Sequence, residues 1–259
     1  MKLYDKLISQ ALQLVSDCAE GCAAAEAGIY ESGQRSGRER LIRGQCEGEA
    51  CRDSGDFDLI LKSDMAYELG GGTLPAVSGL MYTSDQSFVP GDEIWWLGPD
   101  LSDIREDVPY ARLTLIRVSE GCFAGDAQAY SDLRKMEYTR YHVNPEGYMM
   151  RISTASEREP VRISRKALKE GLSFEKVGRS FIEGYHGHPK VEAVKLIFVT
   201  AEDFPYEQLA KLAHQGEQIT KSLNHIFNNL VMDCTACNLK PVCDEVEGLR
   251  ELHQASLKK

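Results

Sequence analysis

The stretch VKLIFVTAEDFPYEQLAKL, residues 194–212, decides the fold class. Its first half, VKLIFVT, is an almost unbroken apolar run of strand length and reads as a strand. Thr200 and Asp203 then read as an N-terminal cap, and Pro205 suits an early helical position, where its missing N–H costs nothing. Leu209, Leu212, Ile219, Leu223, Ile226 and Leu230 continue as an apolar stripe with helical spacing, with Gly216 a candidate break. A strand therefore runs directly into a long helix or helix pair.

Working upstream, FDLIL (57–61), EIWWLG (93–98), ARLTLIRV (111–118) and GYMMRIS (147–153) also read as strands. Helical spacing marks 126–141, through Tyr130, Leu133 and Met136, and 174–186, through Phe174, Val177, Phe181, Ile182 and Tyr185. Residues 3 to about 27 form a further helix, with Leu7, Ala11, Val15, Cys18 and Cys22 on one face. Strands and helices mixed in this way indicate an α+β fold: a layered mixed sheet with helices, an N-terminal helix and a C-terminal helical segment carrying a cysteine cluster. Three regions follow. Residues 1–56 hold the first helix and a Gly/Arg/Cys-containing loop, 57–205 the α+β domain, and 206–259 the helical segment with the cysteines.

Composition narrows the function classes. Lys and Arg number 30 against 40 Asp and Glu, a net charge of −10, so no nucleic-acid backbone and no anionic membrane is expected as a partner. No apolar run reaches the roughly 18 residues a membrane helix needs, and the charged opening lacks a signal core, so a cytoplasmic location is expected. Eight cysteines in such a chain point to metal or redox chemistry rather than to a disulfide framework.

The strongest chemical signal is the C-x2-C-x5-C array formed by Cys234, Cys237 and Cys243. Two thiolates separated by two residues can turn onto one metal centre, and the loop bent by Pro241 can return the third sulfur. A fourth ligand separates two chemistries. Cys46, Cys51, Cys18 or Cys22 would complete a four-thiolate set suited to a [4Fe–4S] cluster; His253 would complete a Cys3His zinc site. The spacing leaves both open. Cys18 and Cys22, one helical turn apart, also suit simple packing on an apolar stripe, and Cys46 and Cys51 suit exposed loop thiols.

Weaker features accompany the array. Gly70, Gly71 and Gly72 allow close backbone approach to a ligand but equally make a turn, and they lack the spacing of a phosphate loop. His186 and His188 offer two imidazoles or a surface turn. Trp95 and Trp96 put one indole on each face of a strand. Arg134, Lys135, Arg140, Arg151, Arg162 and Arg165 make the middle of the chain locally basic, as a phosphorylated ligand or a solvated face requires.

Five segments in order resemble one family: LKSDMAYELGGGTLPAVSGLMY (61–82), IWWLGPDLSDI (94–104), RISRKALKEGLSFEKVG (162–178), VEAVKLIFVT (191–200) and the cysteine array. Residues 57 to about 245 are similar to the middle domain of the acetyl-CoA synthase β subunit of the carbon monoxide dehydrogenase/acetyl-CoA synthase complex. The resemblance implies an α+β domain implicated in coenzyme A binding, leading into cysteines that hold a [4Fe–4S] cluster bridged to two nickel-site metals. Cys234 and Cys237 match the family's first cysteine pair, and Cys243 its third ligand with a shorter spacing. The family's Cys-Gly-Cys motif, which holds the distal nickel, does not occur in these 259 residues. The resemblance therefore implies a truncated, divergent member: an iron–sulfur protein of one-carbon and acetyl-CoA metabolism that acts with partner subunits of the complex, binds a coenzyme A-like ligand, and is not a complete synthase alone. The alternative is a non-enzymatic interaction or regulatory module with a structural zinc at the C-terminal cysteines.

Overall fold

The computed structural model describes residues 2–21, 27–31, 59–123, 127–151, 158–227 and 241–242. Its elements in chain order are α1 (Lys2–Gly21), β1 (Ala27–Glu31), β2 (Met65–Leu69), β3 (Ala76–Thr83), β4 (Glu93–Leu97), β5 (Tyr110–Val118), α2 (Ala127–His142), β6 (Tyr148–Met150), β7 (Val161–Ser164), α3 (Arg165–Lys169), α4 (Phe174–His186), β8 (Val191–Val199) and α5 (Tyr206–Phe227). The architecture is α+β, with an N-terminal helix and a C-terminal helix flanking two sheets.

Five strands form the main sheet in the order β1-β4-β8-β5-β3. β4 runs parallel to β8 and β3 parallel to β5, while β1/β4 and β5/β8 are antiparallel. β8, the apolar run that decides the class, is the central strand, and all of it except Glu192 is buried. Successive side chains of a strand point to opposite faces. The register Trp96↔Phe198↔Arg112 places these three on one face together with Ile94.

That face is covered by α4. Phe174 stacks on Phe198 at 4.7 Å, and Gly178 lies so close to Ile94 that a Cβ there would sit 2.7 Å from its Cδ1. The opposite face is covered by α5. Gly79 faces Ala213 and Gly216 faces Met81, the latter two elements meeting at a side-chain-free position that lets the helix approach the strand. Gly216 thus serves packing, and α5 runs through it unbroken. α1 lies against α5 and β3, and α2 touches both α4 and α5.

A smaller antiparallel sheet, β2-β7-β6, lies beside this core and carries α3. Tyr148 on β6 ties it to the main sheet, its hydroxyl 2.5 Å from that of Tyr110 and its ring edge-on to Phe181.

Several element boundaries differ from the sequence reading. α1 ends at Gly21, and a strand, β1, follows at the edge of the main sheet where the pattern suggested helix and then loop. Residues 59–61 are not strand: Leu59 and Leu61 are exposed, and the first strand of the small sheet begins at Met65. β3 is buried at seven of its eight positions, so AVSGLMYT shows no alternation to read. Pro205 lies just before α5, its carbonyl accepting from the N–H groups of Gln208 and Leu209, while the Thr200 hydroxyl donates to Pro99 O at 2.8 Å.

Candidate functional site

Of the expected ligands, Cys22, Cys46, Cys51, Cys234, Cys237, Cys243 and His253 lie outside the described residues. Cys18 is half-buried on α1 and within electrostatic reach of Tyr206, the first residue of α5. At the other end of the same helix pair, Tyr4 bonds Thr220. α1 and α5 therefore run antiparallel, and Cys18 lies at the start of α5. The array begins seven residues beyond Phe227, past the opposite end of a 22-residue helix about 33 Å long. Val242, next to Cys243 in the sequence, packs against the hydrophobic core.

The two histidines do not converge. His186 Nε2 meets the Asp92 carboxylate at 2.8 Å, whereas His188 Nε2 lies 3.4 Å from Asp132 Oδ1 and its Nδ1 accepts from the Lys190 N–H. That acceptor role puts the proton on Nε2, facing Asp132. Near Asp132 and Lys190 lies Cys122, a cysteine with no motif around it in the sequence. Burial, reinforced by Asp132, pushes its thiol up to about 11, so it is neither a thiolate nucleophile nor a ready metal ligand at neutral pH. Among the described residues no group of three or more His, Cys, Asp or Glu side chains is placed to hold a metal ion.

Gly70 and Gly72 form the turn between β2 and β3, with φ of +64° and +58°. Their carbonyls accept from the Arg158 guanidinium at 3.1 and 3.0 Å, so this backbone is already engaged by the chain itself. The basic residues of the middle segment divide into two groups. Arg151 pairs with Glu68, Arg162 donates to Ile60 O and Arg165 donates to Met65 O, all around the small sheet. On α2, Arg134 lies over the Tyr138 ring and beside Glu137; Arg140 lies over Tyr141 and beside Glu159.

The last of these belongs to a buried polar core that the sequence reading did not find. Arg112, 2% exposed, projects from β5 onto the α4 face of the main sheet. Its Nη2 donates to Glu159 Oε2 at 2.6 Å, its Nη1 contacts Met150 Sδ, and its guanidinium carbon lies 4.5 Å from the Phe181 ring centroid. Glu159 Oε1 lies 3.5 Å from Arg140 Nε. Burial opposes the Arg112 charge, but Glu159 and the surrounding tyrosines outweigh it, and the guanidinium stays charged. Tyr110, Tyr148 and Tyr185 line this core, their phenols pushed up by burial first and therefore neutral. One signal was available: Arg112 interrupts ARLTLIRV, and a charge inside a buried strand needs a partner.

On the opposite sheet face the Lys195–Glu93 pair, 2.9 Å apart, is likewise buried, with Lys195 Nζ 4.4 Å from the Trp95 ring centroid. Trp95 and Trp96 do occupy opposite faces, the second fully within the core cluster.

These features define a mixed-sheet α+β domain whose central strands carry buried ion pairs on both faces. The CO dehydrogenase/acetyl-CoA synthase complex beta subunit family (CdhC) matches residues 54–204, more than half of the chain, from just before the small sheet to the loop before α5. The chain belongs to that family. The matched span ends before the cysteine array. No curated protein matches the chain. No described helix is long and apolar enough to cross a membrane.

Proposed function

We propose that this chain is an acetyl-CoA synthase β-subunit-like iron–sulfur protein of one-carbon and acetyl-CoA metabolism, working in the cytoplasm with partner subunits of a CO dehydrogenase/acetyl-CoA synthase-like complex. One observation carries the reading: the α+β domain that matches the family leads through α5 directly to three cysteines within ten residues.

The donor set fits a cluster. Cys234, Cys237 and Cys243 would supply three thiolates, with the fourth ligand from Cys46, Cys51, Cys18 or Cys22. When bound, a [4Fe–4S] cluster supplies one-electron transfer. The chain's own contribution is placement. α5 packs on the sheet through Gly216, and Val242, next to Cys243 in the sequence, docks on the core. An anionic coenzyme A-like ligand would meet the exposed Lys62, Arg165 and Lys169 at the end of the small sheet, where Arg165 is held by Asp64 O and Met65 O.

Nickel chemistry is left out of the proposal, because the Cys-Gly-Cys donors are not among these 259 residues. The test is visible absorbance of the full chain purified without oxygen. A brown protein is expected, bleached by Cys234→Ser or Cys237→Ser; absorbance unchanged in both variants would overturn the ligand assignment.

A further inference from the structure

We infer that the outward face of α2 is a docking surface for a small acidic electron-transfer protein. The surface stands on described residues; the identity of the partner rests on the reading of the C-terminal cysteines as an iron–sulfur site. Charge, shape and position carry it.

In a chain of net charge −10, α2 exposes no carboxylate. Asp132 is buried against Gln128 and His188, while Glu137 is partly buried, accepting from Asn224 and lying beside Arg134. What the helix turns outward is Lys135, Tyr138 and His142, with Arg134 at the flank. Lys135 and the exposed Lys190 both lie within electrostatic reach of His188, so the positive field continues onto the loop before β8. A local basic patch on an acidic protein attracts and orients an acidic partner that the rest of the surface repels.

The patch carries a rigid aromatic anchor. Tyr138 is 47% exposed, the one aromatic among the exposed large hydrophobic side chains of the described residues. Its neighbours one helical turn away on either side hold the ring. Arg134 lies over it, Cζ 4.5 Å from the centroid, and donates to its hydroxyl, and His142 stands edge-on at 6.2 Å. His142 is fixed in turn through Nδ1, 2.7 Å from Tyr138 O. An exposed tyrosine whose rotamer is already set loses little entropy on binding, and Tyr and Arg are enriched among the residues that dominate interface energies.

Position names the partner. Asn224 on α5 donates to Glu137, the residue before Tyr138. Cys234 follows Asn224 by ten residues, a tether of at most about 35 Å. The chain thus runs from beside this face to the cysteines proposed to hold a one-electron cluster.

The test is isothermal titration calorimetry of the full chain, purified without oxygen, with a plant-type [2Fe–2S] ferredoxin, a small acidic protein. A transient complex with Kd of about 1–100 µM is expected at about 20 mM salt, weakened at least about tenfold at about 300 mM. Lys135→Glu and Tyr138→Ala, both at exposed side chains, should each weaken binding about tenfold with Tm unchanged. Lys211→Glu makes the same change in net charge as Lys135→Glu at an exposed position near the start of α5, about 20 Å along that helix from Asn224, and should leave Kd within about twofold. Absence of binding at low salt, equal Kd values for the unmodified chain, Lys135→Glu and Tyr138→Ala, or equal weakening by Lys211→Glu would overturn the surface. Iron, sulfide and zinc measured on the same sample keep the two claims apart. Zinc in place of iron and sulfide overturns the electron carrier as partner, through the reading beneath it, while the Kd series alone decides the surface.

Discussion

The hydroxyls of Tyr4 and Thr220 meet at 2.7 Å and join the first turn of α1 to α5 across 216 residues of chain. Thr220 donates its own proton to Gly216 O, so Tyr4 is the donor to Thr220. The Tyr4 ring also packs edge-on against Tyr82 at 5.8 Å. The N-terminal helix is thereby bonded to the helix that leads to the cysteines. Tyr4→Phe should cost about 1 kcal/mol, the net value of one hydrogen bond. Tyr4→Ala, which also empties the ring's place, should cost about 3–5 kcal/mol. Urea unfolding of the full chain reads both.

Arg112 and Glu159 make a second pair whose removal is asymmetric. Glu159→Leu leaves the Arg112 guanidinium buried without its carboxylate, and a loss of about 3–5 kcal/mol is expected. Arg112→Met combined with Glu159→Leu removes both charges and should be markedly less damaging than Glu159→Leu alone. A double variant as unstable as the single one would show that packing of these side chains, rather than charge pairing, sets the cost.

The two positive-φ glycines of the β2–β3 turn should respond differently. A Cβ on Gly70 would fall 2.4 Å from Ala76 Cβ, whereas on Gly72 nothing lies within 4 Å. Gly72→Ala carries only the left-handed backbone penalty of about 1–2 kcal/mol. Gly70→Ala carries that penalty and a clash with rigid backbone, and should lower Tm several degrees further.

Burial holds His188 below the ordinary histidine range, against the opposing pull of Asp132 and with smaller contributions from Lys135 and Lys190. A depressed folded-state value means that the unfolded chain takes up a proton first. Stability from this group is complete above about pH 6.5, the unfolded value, and is lost as pH falls below it toward the folded value. The urea midpoint should therefore drop between pH 7.5 and 5.5, and His188→Gln should reduce that drop. An identical pH slope in the variant would assign the dependence elsewhere.

The sequence made the α+β class legible because β8 and the two clearest amphipathic helices, α4 and α5, carry strong patterns. β3 and β7 escaped it for opposite reasons. β3 is buried on both faces and shows no alternation, while VRIS in β7 is too short to stand out. Strand order was out of reach, since it rests on pairing between residues as distant as Trp96 and Val199's neighbour Phe198. At the site, local basicity suggested a ligand surface, but the structure engages Arg140, Arg151 and Arg162 with groups of the chain itself. Spacing along the chain could not show that Arg112 and Glu159, 47 residues apart, form the buried pair.

The central claim is that the family's α+β domain here leads into an iron–sulfur site, and metal analysis tests it most directly. Iron, acid-labile sulfide, nickel and zinc should be measured together on the full chain purified without oxygen. About four iron and four sulfide per chain without nickel, lost in Cys234→Ser, is the predicted result. About one zinc with no sulfide, lost in His253→Ala, would contradict the account and make the C-terminal cysteines a structural knot.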